Sequence, residues 1–522
     1  MNDIYRPSHD LDIIDEYGFR ELVGQRAWRL LALANHMCDH VSIKAALKRP
    51  LLGSLLSQAT QLEELLDAYG ARNNRRWCRF RSLTAAVKLF ANVSYKLLHI
   101  WYTVPDYRLL PIEQDFVRDT EKALAFSGEV LMEAAGRLLE EAKRLSVPIV
   151  ETGYTIDRYA EFLPAGRLPH DRSTRRVKSA AETVTHLATA FLNLAADSEL
   201  LHRVLRMRPT EYAELCYPDM VSEENLRHLK YRFHNLQSSY DTYVSETQVE
   251  HLDADLPVLR GHISVVFHLL EIATELIHYY ERHVNTKTGD LSLRRRPLLS
   301  SDVLLQVLMG YAVTYASQYV THGQRLCHAM LKRYAEVVRM EVPVPSYRGF
   351  HVRPATLIAK IVLHYGSEVR MELDADSYDA AAPMDLFRAN EKINASKRRW
   401  LASEIAGLPL PQGKMSNRRI RAAIMEVILT LAEQGKLVIY QQPLQLSGTY
   451  NATEEGLLGQ VTGEIARLMA TGQIDINIDL TITFVGDKRV LADIRLLAQS
   501  GYGEDRFGNN IALPKELVYL RR

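Results

Sequence analysis

Residues 347–360 read YRGFHVRPATLIAK, and the reading of this stretch decides the rest. Leu357, Ile358, Ile361 and Val362 recur at helical spacing and predict a helix over 353–365, with Gly366 as its stop. Pro354 suits the first turn of that helix, where its missing N–H would have no partner in any case, and Ala355 follows as a good helix former. Gly349 permits a tight bend just upstream, so His351 stands immediately before the helix begins. A helix N-terminus offers unpaired N–H groups and the positive end of the dipole, which together favour an anion. Arg353 adds a guanidinium shaped for phosphate oxygens. The same positive end disfavours an imidazolium and leaves a ring nitrogen available near neutral pH. Nucleophile, anion cradle and cation together describe a histidine that accepts a phosphoryl group.

Outward from this stretch the periodicity is that of strands. MEVPV places Met340, Val342 and Val344 on one face, and EVRMELD repeats the alternation with Val369, Met371 and Leu373. Near the C-terminus IDINIDLTITF alternates without a break, which predicts one strand over 474–484 with Ile474, Ile476, Ile478, Leu480, Ile482 and Phe484 facing the core of the same sheet. A helix over 488–499 follows. Between them, residues 396–473 carry helices near 417–434 and 452–470 and a short strand in KLVIY, with Asn451 and Glu454 spaced as a capping pair. Upstream, residues 17–340 repeat apolar spacings of three and four, and predict a large all-helical region without a solenoid repeat.

The motif GFHVRPA and the order strand, helix, strand, turn (DSYDAAA), helix (DLFRANEKI), then DLTITFVGDKRVLADIRLLAQSG, resemble the HPr family, the histidine phosphocarriers of the bacterial phosphoenolpyruvate-dependent sugar phosphotransferase system. The resemblance implies an open-faced sandwich, antiparallel strands covered on one side by helices, built from 340–395 and 474–522, with 396–473 as an insertion and 1–339 as a helical region of its own. It implies that His351 is the phosphorylated side chain and that Arg353, with the first helical N–H groups, holds the phosphoryl oxygens. Gly349, Pro354 and Ala355 are the supporting motif. Phe350 stands where the family usually has an aliphatic residue, and Asp385 falls at the family's regulatory serine, putting a permanent carboxylate there. The implied partners are a phosphoryl-donor protein such as enzyme I and an unidentified acceptor or regulated protein.

Composition bounds the alternatives. With 64 basic and 63 acidic side chains the net charge is +1, which supplies no long-range field for nucleic acid or an anionic membrane. Cys38, Cys78, Cys216 and Cys327 lie far apart, without zinc or disulfide spacing, and the N-terminus lacks a signal-like apolar core, so the expectation is a cytoplasmic chain that needs no cofactor. His268, Glu271, Glu275 and His278 share one helix face, and Glu275 with His278 makes an ExxH step, but no second copy completes a di-iron set. His36 and His40 are likewise one turn apart. These faces are expected to be solvated or hydrogen-bonded. The basic clusters at 72–81, 294–297, 397–400 and 417–421 are expected to be solvated or ion-paired. Two alternatives to a phosphocarrier or phosphorylation-dependent regulator remain: an HPr-like docking module whose histidine is not phosphorylated, carried on a helical scaffold, and an enzyme with its site in the helical region.

Overall fold

The computed structural model describes residues 13–39, 47–149, 179–216, 221–284, 297–411, 415–447, 450 and 456–521. The expected features at His40, Arg294–Arg296 and Asn451–Glu454 lie outside these residues. The chain divides into two compact units, Met1–Cys327 and His328–Arg522.

The first unit is built of helices. Cys78–Thr103 packs against Arg49–Ala68, Phe116–Arg144 and Asp255–Tyr279, and little of it is exposed because each flank meets a neighbour. Its buried hydroxyls are satisfied: Ser94 Oγ lies 2.8 Å from Ser127 Oγ, and Thr84 donates to the Phe80 carbonyl. Polar side chains start these helices where the first N–H groups need acceptors, Asp115 accepting from Arg118 N–H and Ser179 forming a reciprocal box with Glu182. Asp255–Val284 is long and apolar enough to cross a membrane by length and composition, yet Ile263, Val266, Leu269 and Leu270 are fully buried within the unit.

The second unit centres on a four-stranded antiparallel sheet. β1 (Val337–Pro343), β2 (Val369–Leu373) and β3 (Asp376–Asp379) come from one end of the unit's sequence; β4 (Leu437–Ile439) and β5 (Ile474–Ile476) form a separate ribbon; β6 (Thr481–Asp487) enters the main sheet, whose order is β1-β6-β2-β3. Met340 and Met371 both face Phe484 across the register, and Val342 faces Ile482, so the alternation read from the sequence becomes one buried face. Helices Val352–Tyr365, Pro383–Ala406 and Lys488–Gln499 pack on one another and on the strands.

Three details differ from the sequence expectation. The unbroken alternation over 474–484 is two strands rather than one: β5 pairs with β4, the chain leaves that ribbon at Asn477, whose N–H goes to the Lys436 carbonyl, and β6 begins at Thr481. A period of two is the same on either sheet, so alternation cannot reveal a change of sheet. The first half of the expected turn DSYDAAA is strand β3, reached by a two-residue turn in which Asp374 adopts φ 55°. The helix after it is not short but runs on from Pro383 to Ala406. Its second half, with Leu401 and Ile405, supplies one wall of a further core that includes Ile424, Ile428, Leu431, Ile465, Leu468 and Ile476, so the segment after 396 grows directly out of this helix.

Candidate functional site

The loop between β1 and helix Val352–Tyr365 takes two successive left-handed residues, Arg348 at φ 54° and Gly349 at φ 62°. For arginine this conformation costs about 1–2 kcal/mol, and the surroundings fix it. Arg348 N–H donates to Asp475 Oδ2 at 3.1 Å, its carbonyl accepts from Asn390 Nδ2 at 3.1 Å, and Asn390 Oδ1 accepts the Phe350 N–H at 2.9 Å. Asp475 is itself held by Lys397 at 3.3 Å, both side chains being almost wholly buried. The Phe350 ring, fully buried, packs edge-on to Phe484 and Tyr502. The ring therefore anchors the loop into the core below it.

With its neighbour pinned, His351 is delivered to the N-cap position of the helix, in extended backbone geometry. Its carbonyl accepts the first intrahelical bond, from Ala355 N–H at 3.1 Å. Pro354 has no N–H, and the amides of Val352 and Arg353 precede any acceptor within the helix. Pro354 and Ala355 are buried on the core side. The imidazole keeps 25% of its side-chain surface accessible. Its Nδ1 lies 3.1 Å from the Gly349 carbonyl, its ring meets the edge of Tyr347, and Tyr347 meets Tyr440 of the β4–β5 segment.

Residues after helix Lys488–Gln499 close the other side. Gly501, Tyr502 and Gly503 are all left-handed, at φ 71°, 58° and 78°; the Tyr502 hydroxyl donates to the Pro343 carbonyl at 2.6 Å, and the chain turns so that Glu504 faces the imidazole. Glu504 Oε1 stands 3.1 Å from His351 Nε2, with only 5% of the carboxylate side chain exposed. The contact is close but off the direction of an aligned hydrogen bond, and this oxygen has no hydrogen-bond partner among the described residues. Glu504 bridges to Asn510, whose Oδ1 accepts from the Arg353 guanidinium. Both residues singled out by the sequence, His351 and Arg353, thus meet the same C-terminal loop.

Asp385 sits apart from this constellation in its bonding. It lies in the first turn of Pro383–Ala406, where its carboxylate accepts from Asp379 N–H at 3.4 Å and from Arg388 at 3.1 Å, a favourable place for a negative charge.

The other sequence candidates resolve into hydrogen bonds. Glu271 lies 3.0 Å from both His268 and Lys96, Asn92 donates to Glu275 at 2.9 Å, and His278 pairs with Glu223 at 2.9 Å. Among the described residues no cluster of histidine, cysteine and carboxylate groups is arranged to hold a metal. Of the basic clusters, Arg76 meets Glu16, Arg79 meets Glu141 and Arg81 meets Glu63 and Asp67, while Trp77 and Phe80 are core residues.

Sequence reasoning missed Asn390, Asp475 and Glu504. For Glu504 the available signal is GYGED, two glycines around an aromatic residue before an acid, a pattern that marks a forced turn. Asp475 is hidden by the alternation itself, which assigns it to the solvent face. No protein-family model, curated protein or solved structure matches the chain.

Proposed function

We propose that the second unit is an HPr-like domain that accepts a phosphoryl group on His351 and passes it on or signals by it. The observation that carries the reading is the placement of His351 as N-cap of an amphipathic helix, partly accessible, with Arg353 in the first turn and a strained loop beneath it held by buried Asn390 and Asp475. Strain maintained by the surroundings is a mark of functional positions. The entry of β6 between β1 and β2, so that segments far apart in sequence make one sheet under helices, supports the architecture that the resemblance implies. In-line transfer asks little of this chain beyond holding the imidazole and neutralising charge on the phosphoryl oxygens.

The test is incubation of the full chain with phosphoenolpyruvate and enzyme I of the native organism. The expected product is a phosphate labile to acid and stable to base, absent in His351→Ala and reduced roughly tenfold or more in Arg353→Ala, which loses a charge-assisted bond. An unlabelled chain beside a conventional HPr labelled in the same tube overturns the reading. It would leave a docking module as the better account, a reading favoured by the engagement of both His351 and Arg353 by the C-terminal loop.

A further inference from the structure

We propose that the outer edge of β1 is a self-association surface: two copies of this chain pair antiparallel along Val338–Val342 about a twofold axis at Met340, joining two four-stranded sheets into one. β1 is an end strand of the order β1-β6-β2-β3. Val344 N–H donates to the Leu480 carbonyl at 2.8 Å, Lys488 N–H donates to the Glu336 carbonyl at 2.9 Å, and the register between these two bonds is unbroken. Positions that exchange ladder bonds alternate along an antiparallel strand. The even-numbered residues of β1 therefore turn their backbone groups to β6, and Val337, Arg339, Glu341 and Pro343 turn theirs outward. Pro343 has no N–H, and its carbonyl accepts the Tyr502 hydroxyl at 2.6 Å. The N–H and C=O groups of Val337, Arg339 and Glu341 have no hydrogen-bond partner among the described residues. An open row of this kind is a template for another strand.

The opposite edge of the sheet is closed by comparison. β3 is four residues long with an aspartate at each end; Asp376 pairs with Lys392, and Asp379 N–H donates to Asp385.

The side chains of β1 select a second copy of the same strand. Val337, Arg339 and Glu341 stand on the exposed face; on the other face Val342 is buried, while Val338 and Met340 are only half-buried. Outward backbone groups meet outward groups, so odd positions face odd positions and few registers exist. Centring on Met340 sets Arg339 of each copy opposite Glu341 of the other, with four backbone hydrogen bonds between them, and aligns Val338 with Val342 and Met340 with itself on the apolar face. Registers centred on Arg339 or Glu341 place like charges directly opposite, and those centred on Val338 or Val342 form no charge pair. Arg339 already meets Glu372 within its own chain, but a guanidinium has five N–H donors and serves both carboxylates. Glu341 has no partner among the described residues. The paired stretch is short, so the association is weak and reversible.

Cross-linking and charge exchange on the full chain test the register. In this arrangement position 340 is a non-hydrogen-bonded pair with Cα atoms about 4.5 Å apart, inside the span of a disulfide. Met340→Cys treated with oxidised glutathione is expected to give a dimer whose peptide map shows a 340–340 link, while Arg339→Cys, Glu341→Cys and the wild type with its four native cysteines, treated alike, are not. In sedimentation equilibrium the wild type is expected to self-associate, and Arg339→Glu and Glu341→Arg are each expected to do so roughly tenfold or more weakly. An equimolar mixture of those two variants restores both charge pairs and is expected to recover association, which also shows that both variants are folded. No 340–340 link, linking of Arg339→Cys as efficient as that of Met340→Cys, wild-type association unmoved by the charge substitutions, or a mixture no better than its components overturns the proposal.

Discussion

Replacing Gly349 with alanine puts a Cβ on a residue at φ 62°, directed into the Asn390 carboxamide with that group's Cγ only 3.1 Å away. Two terms add. A left-handed alanine costs about 1–2 kcal/mol. Displacing Asn390 leaves the fully buried Phe350 without an acceptor for its N–H, about 1–3 kcal/mol more. The expected local destabilisation is about 2–5 kcal/mol, which accelerates opening-limited amide exchange roughly thirty to several thousand fold. Native-state hydrogen exchange of the Phe350 amide and of helix Val352–Tyr365 reads this locally, without requiring the two units to unfold together. Asn390→Ala alone is expected to cost about 1–3 kcal/mol through the same orphaned N–H. Because that variant removes the obstruction, Gly349→Ala made upon it is expected to add only the backbone term. Exchange in Gly349→Ala close to wild type, or full additivity of the two substitutions, would refute the argument that Asn390 holds this loop.

Lys397→Met strips the counter-ion from buried Asp475 and is expected to destabilise the unit by about 3–5 kcal/mol in urea unfolding, with Lys397→Met/Asp475→Asn recovering part of the loss. Asp493 accepts hydrogen bonds from Tyr519 and Tyr365, yet burial pushes its carboxyl above the ordinary 3.8. The folded chain then binds this proton more tightly than the unfolded chain, so the contribution to stability is full below 3.8 and is lost as pH rises through the raised value; Asp493→Asn is expected to flatten that part of the stability profile. In the first unit, burial works against the charge of Glu271, but hydrogen bonds from His268 and Lys96 hold its carboxyl down to about 2. Its stabilisation is present above the ordinary 4.5 and lost as pH falls through about 2, and Glu271→Ala is expected to lower the unfolding free energy at neutral pH by about 2–4 kcal/mol.

What the sequence by itself determined is local. The helix expected over 353–365 and found at Val352–Tyr365, its Gly366 stop, the positions of His351 and Arg353 at its start, and the helix of 488–499 follow from side-chain period and from the special backbone needs of glycine and proline, which act within a few residues. The mostly helical character of the first unit is legible for the same reason. Tertiary structure decided what depends on partners distant in the chain. Residues 474–484 satisfy one alternation on two different sheets, and only the pairing of β5 with β4 and of β6 with β1 and β2 shows where the chain changes over. Helix Pro383–Ala406 outruns its expected end because Leu401 and Ile405 find a core supplied by residues up to Ile476. Asp475 and Glu504 read as solvent-facing acids until a lysine seventy-eight positions away and an imidazole far upstream are brought against them. A charged side chain carries no sign in sequence of whether it will be buried; its environment is made by the partner, and the partner is chosen by the fold.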